Sequence, residues 1–168
     1  MHLIGEKSIQ GDSNISIDLP QNETIDRKLR ISAFGELKSG EITRYLILRI
    51  NKIDKGYYSY VDVGGDEREG EWGHKQDEVK DRGIYVGRNG GYLGRFDASF
   101  TLDYTLAVNS KSKRIVGNGT STFGDIGNRT YGCQSHGFLE SREPIPLKNI
   151  ELIFSGGIAT WTCRIYAY

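Results

Sequence analysis

Residues 96–109, FDASFTLDYTLAVN, carry an apolar side chain at every second position: Phe96, Ala98, Phe100, Leu102, Tyr104, Leu106 and Val108. Between them stand Asp97, Ser99, Thr101, Asp103, Thr105, Ala107 and Asn109, all polar except Ala107. A period of two separates the two sets onto opposite faces of an extended chain. Held over seven repeats, it predicts a strand of roughly 14 residues, well beyond the usual mode of about 5–6. Such a strand reads as a central stave of a sheet with one face in the core.

The same alternation recurs along the chain. ISIDL (15–19) predicts a short strand closed by Pro20. RKLRISAFGEL (27–37) and ITRYLILRI (42–50), joined by a Lys38-Ser39-Gly40 turn, predict a hairpin. YYSYVDV (57–63) and GIYVGR (83–88) follow as strands rich in aromatic and β-branched residues. RIVGNGTSTFG (114–124) is weaker and glycine-marked, and TYGCQSHGFLE (130–140) is a further strand. KNIELIFSGG (148–157) and IATWTCRIYAY (158–168) predict a terminal hairpin, with Trp161 alternating inward.

Between 64 and 83 the pattern breaks. GGDEREGEWGHKQDEVKDRG holds charges of both signs and little that is apolar beyond Trp72 and Val79. It predicts a long charged loop, with a short helix around 74–82 as an option, and loops of that length are usually functional or mobile. About nine strands with turn signals between them and no long helix define an all-β fold, an antiparallel β-sandwich or barrel. Residues 1–168 form one domain on this reading, with 1–20 either part of the core or an N-terminal arm reaching a neighbouring subunit.

Composition narrows the function. The chain has 22 Lys plus Arg against 22 Asp plus Glu, a formal net charge of zero. That argues against nucleic acid or another polyanion held by bulk charge, and a neutral surface lacks the self-repulsion that keeps monomers apart. No apolar run approaches the length of a membrane span. MHLIGEKSIQGDS lacks the basic-then-apolar order of a secretory signal, so synthesis in a cytosol is expected. In that compartment Cys133 and Cys163 are expected as small buried hydrophobes rather than a disulfide.

Candidate chemistry is sparse. His2, His74 and His136 lie far apart, and no CxxC, HExxH or calcium-loop spacing occurs, so neither a metal nor a cofactor is predicted. Cys133 and His136 fall on opposite faces of their strand. Asp97 and Asp103 share the polar face of the long strand, but six residues separate them by roughly 20 Å. A glycosidase pair needs roughly 5–9.5 Å. GRNGGYLG (87–94) leads into a strand and not a helix, so it reads as a connection rather than a phosphate loop. No catalytic residue is predicted, and the chain is not expected to be an enzyme. Exposed rings can stack on sugars or anchor a protein contact. The candidate ligand- or partner-binding residues are therefore Trp72 and His74 in the charged loop, Arg88 before the glycine turn, and Tyr92 within it.

The run from GIYVGRNGGYLG through FDASFTLDYTLAVNS and GNGTSTF to KNIELIFSGGIATWTCRIYAY resembles accessory virion proteins of tailed bacteriophages. The resemblance covers residues 83–168, about half of the chain. It implies a jelly-roll-like sandwich, assembled as a trimer or another homo-oligomer. It also implies a structural role in capsid decoration or in a minor head or tail component, with other virion proteins as partners. The chain would then be made in the host cytoplasm and end in the virion. The alternative is a carbohydrate- or receptor-binding β-sandwich module of a phage tail, with a surface glycan as ligand.

Overall fold

A computed structural model describes residues 1–20, 27–40, 42–66, 72–77, 82–89, 97–108, 111, 113–125 and 130–168. Among these, the alternating stretches become twelve strands and no helix. They are β1 (His2–Gln10), β2 (Asn14–Asp18), β3 (Arg27–Lys38), β4 (Tyr45–Ile50), β5 (Tyr57–Asp66) and β6 (Trp72–Asp77). Then follow β7 (Ile84–Arg88), β8 (Ala98–Val108), β9 (Arg114–Asp125), β10 (Thr130–Glu140), β11 (Asn149–Phe154) and β12 (Ile158–Ala167). Eight strands form one sheet in the order β1-β12-β3-β8-β9-β10-β5-β6, and four form the other in the order β2-β11-β4-β7. Neighbours in both sheets run antiparallel. The fold is an antiparallel β-sandwich whose chain changes sheet at most of its connections.

The long strand is where its pattern puts it. In β8 the residues Ala98, Phe100, Leu102, Tyr104, Leu106 and Val108 are buried, and the residues between them face out. It lies between β3 and β9, near the middle of the larger sheet. Its inward face joins the core with Leu48, Ile50, Leu152 and Phe154 of the smaller sheet. Phe100, Phe123, Phe154 and Trp161 form an aromatic cluster with centroids 5.1 to 6.4 Å apart. Edge-to-face and offset pairs of this kind add about 0.5–1.5 kcal/mol each beyond the area they bury. Trp161 is 2% exposed, as its alternation predicts, and its indole N–H donates to the Asp12 carbonyl at 3.1 Å.

Two expected hairpins are absent. β3 belongs to the larger sheet and β4 to the smaller, so the turn after Lys38 crosses between layers. The ladder explains the choice. β3 is paired along nearly its whole length by β8 on one side and β12 on the other, which a six-residue β4 could not do. β11 and β12 are likewise divided between the sheets, and Ser155-Gly156-Gly157 is a corner rather than a hairpin tip. Gly157 takes φ 85°, and a Cβ there would lie 2.7 Å from the Lys38 carbonyl oxygen, so the corner admits little besides glycine.

The charged segment 64–83 is not one loop. β5 runs on to Asp66, and β6 pairs with it from Asp66↔Trp72 to Val61↔Asp77, so part of the segment is an edge strand and the optional helix is replaced there. Charged residues on an edge strand discourage pairing with other chains, and the local sequence disguises the strand for that reason. Residues 2–10, part of the candidate arm, pair along β12 in this chain from His2↔Ala167 to Gln10↔Thr160.

A row of buried serines holds β7 against the larger sheet. Ser59 Oγ accepts from the Tyr85 amide at 3.2 Å, and Ser121 Oγ donates to the Val86 carbonyl at 2.9 Å. Ser135 Oγ donates to the Tyr85 carbonyl. Backbone groups in a core must find partners, and these hydroxyls supply them where two layers meet. Cys133 and Cys163 are both buried and unbridged.

Candidate functional site

Cross-strand register turns the outer face of the larger sheet into rungs, because directly opposed residues share a face. One rung runs Tyr58–Phe138–Val116–Ala107–Lys28 across β5, β10, β9, β8 and β3. The next runs Tyr60–His136–Asn118–Thr105–Arg30, and the third Asp62–Gln134–Thr120–Asp103–Ser32. An apolar rung therefore lies beside two hydrogen-bonding ones. Tyr58 and Val116 are 46% and 51% exposed, so the apolar rung is a surface feature and not core.

The first two rungs border a hollow of about 720 Å³. A smaller one of about 320 Å³ adjoins it, sharing Thr105, Asn118 and His136, and extends to Asp103, Thr120 and Gln134. Tyr58 and Phe138 stack at 4.8 Å with planes 19° apart, and the Arg114 guanidinium lies 5.6 Å from the Phe138 centroid. Tyr60 and His136 face each other at 6.4 Å. At the far end the Lys28 ammonium sits 5.6 Å from the Tyr168 ring, a cation–π contact.

Carboxylates on this face are committed to partners. The Arg30 guanidinium grips Asp103 with Nε 2.9 Å from Oδ1 and Nη2 on Oδ2, a forked charge-assisted pair. That hydrogen bond and charge raise the Arg30 pKa. Glu6 does the same for Arg164 across β1 and β12, and Arg114 holds Glu140 at 2.8 Å. Tyr60 donates to Asp62 at 3.0 Å, which together with partial burial raises its phenol pKa. Ser99 donates to Glu36 at 2.7 Å. Asp97 lies off this array. Its Oδ1 accepts from the Ser39 amide at 2.9 Å and fixes the corner after β3. The polar face of FDASFTLDYTLAVN thus divides between an ion-paired rung and a structural cap.

Of the residues singled out from the sequence, Trp72, His74 and Arg88 fall on described strands. Trp72 and His74 lie in β6, in register with Asp66 and Gly64 at the far edge of the larger sheet. Arg88 ends β7 in the smaller sheet, where its carbonyl accepts from Cys133 Sγ at 3.9 Å. Tyr92 lies outside the described residues. His136 faces outward while Cys133 is buried, so the two stand on opposite faces as expected. The residues that do come together are Tyr58, Tyr60, Asn118, His136, Phe138 and Lys28, which sequence reasoning passed over. A signal was present: Tyr58 and Tyr60 share one parity, as do His136 and Phe138, and aromatic residues there occupy outward positions. What no local pattern indicates is that Phe138 is the neighbour of Tyr58.

Among the described residues, no group of three or more His, Cys, Asp or Glu could hold a metal ion, and no helix is long and apolar enough to cross a membrane.

These features define an antiparallel β-sandwich with an open furrow across its larger sheet. No protein-family model matches the sequence, and no curated protein matches it. Among solved structures, the alginate lyase from Klebsiella pneumoniae is 10% identical over 82% of this chain and 60% of its own, with a TM-score of 0.21. The CspB protease of Clostridium perfringens is 10% identical over 94% and 27% of the two chains, with a TM-score of 0.18. A chain from infectious bursal disease virus, Gx strain, is 10% identical over 99% and 39%, with a TM-score of 0.17. Superpositions this loose carry no argument about what this chain does.

Proposed function

We propose that the chain is a non-enzymatic structural protein of a tailed-bacteriophage virion, a decoration or minor head or tail component acting by contact with other virion proteins. The observation that carries the reading is the architecture itself. The sequence resemblance over 83–168 implies a jelly-roll-like sandwich, and the chain folds as two antiparallel sheets between which it repeatedly crosses. The surface supports contact rather than proton transfer, since Asp103, Glu140 and Glu6 are each tied to an arginine. Leu3, Phe34 and Ile158 are large apolar residues left exposed on β1, β3 and β12, three adjacent strands at one side of the larger sheet. By register they are spaced four residues apart along β12, with Leu3 opposite Tyr166 and Phe34 opposite Thr162, so they offer a neighbour separate apolar contacts rather than one patch. Among the described residues β1 is an end strand of the larger sheet, and its outer edge offers backbone groups for strand addition by a neighbour.

On this reading the protein is a homo-oligomer or binds the virion directly. Sedimentation velocity of the purified chain, with co-sedimentation on virions of the phage that encodes it, tests both. The expected result is an oligomer or a virion-bound fraction. A strict monomer that stays in the supernatant would overturn the proposal.

A further inference from the structure

We propose that the furrow on the outer face of the larger sheet binds an acidic saccharide, a short sugar chain carrying carboxylate groups, laid across β5, β10, β9, β8 and β3. The furrow spans four inter-strand steps, roughly 19 Å, which suits a chain of several pyranose rings. Its floor has the two chemistries that a pyranose requires. A sugar ring presents C–H groups on its faces and hydroxyls around its rim. The Tyr58–Phe138 pair and Val116 supply an exposed apolar platform for the faces. In the adjoining rung Asn118, Thr105 and His136 supply donors and acceptors for the hydroxyls. A few well-placed polar groups beside an apolar surface are the usual make-up of a ligand site.

Charge selects the class of sugar. Among the described residues lining the larger hollow are Lys28 and His136 and no carboxylate, in a protein whose acids and bases are equal in number. The nearest acid of the adjoining hollow, Asp103, is already forked onto Arg30. Asp62, beside Tyr60 at the β5 end, keeps its charge away from the β3 end, where the charge left for a ligand to meet is positive and carried by Lys28. A carboxylated sugar complements it, whereas a neutral sugar gains only the platform. This binding role is separate from the virion role, since it rests on the rung from Tyr58 to Lys28 and not on Leu3, Phe34 or Ile158.

Isothermal titration calorimetry of the full chain with tetragalacturonate, with neutral cellotetraose and an aspartate-rich peptide as controls, tests it. The expected result is binding of tetragalacturonate that weakens with added salt and drops at least tenfold in both Tyr58→Ala and Lys28→Gln. Thr101→Ala, on the same face but outside the furrow, should leave it unchanged, and all three variants should keep the wild-type circular dichroism spectrum. The proposal is overturned by absence of binding, by equal binding of cellotetraose or the peptide, or by affinity indifferent to both furrow variants. Conversion of an oligomer to a monomer by Tyr58→Ala would assign the face to a second copy of the chain and overturn it as well. Loss of virion co-sedimentation would bear only on the structural role.

Discussion

At the scale of single residues, close packing makes sharp demands. Gly35 stands opposite Trp161 in the β3–β12 ladder, and a Cβ there would lie 2.6 Å from Trp161 Cβ. Gly35→Ala must force the β3 and β12 backbones apart at Thr160 and Trp161, and overpacking of this kind costs about 1–3 kcal/mol. A lower denaturant midpoint with an unchanged slope is the expected reading. Burial pushes the Cys163 thiol from 9.0 up to about 12 and the Tyr57 phenol from 10.0 up to about 12. Both pKa values are raised in the folded chain, so the stability they contribute is complete below pH 9 and is lost as pH rises towards 12. Urea unfolding followed from pH 8 to 12 should show that decline. Cys163→Ala should delay its onset towards the range where tyrosine ionises, and an onset unmoved by the substitution would contradict the assignment.

At the scale of elements, β7 depends on hydroxyls from outside its own sheet. Ser135→Ala and Ser121→Ala each remove a donor to a β7 carbonyl, and leaving a buried acceptor unsatisfied costs about 1–3 kcal/mol. Hydrogen exchange should accelerate selectively at residues 84–88, with β8 and β12 protected as before. Uniform acceleration across the larger sheet would show that the serines do not act on β7 locally. The serines also mark what could be read in advance. Ser121 and Ser135 occupy inward positions by alternation, and as polar residues at core positions they signalled a special contact without saying with what. Likewise β4, buried at Leu46, Ile47 and Leu48 in succession, announces a strand with both faces covered, but not the sheet it joins.

At the scale of the whole molecule, seven of the ten strand pairings among the described residues join strands that are not consecutive, β5–β6, β8–β9 and β9–β10 being the exceptions. His2 lies opposite Ala167, and Arg27 opposite Val108. Chains dominated by such contacts fold slowly, in milliseconds to seconds, because loop closure precedes the contacts that reward it. Stopped-flow refolding should therefore lack a dominant sub-millisecond phase. No disulfide contributes to the fold, since both cysteines are buried and no bridge joins them. A reducing agent should leave the melting temperature unchanged, and a thiol reagent at pH 8 should modify the two cysteines only after unfolding. A fall in melting temperature on reduction would reveal a bridge.

The sequence by itself determined the class of fold, the inward face of almost every long strand, and the separation of Asp97 from Asp103. Those properties are local: a period of two reports which side a residue faces, whatever the neighbouring strand proves to be. Only the tertiary structure decided that β3 and β4 part company, that β11 and β12 turn a corner, and that a charged stretch contains an edge strand. It alone placed Tyr58 beside Phe138 and Lys28 in line with both. Register is set by matching whole ladders and filling one core, and that competition among distant segments leaves no trace in any short window of sequence.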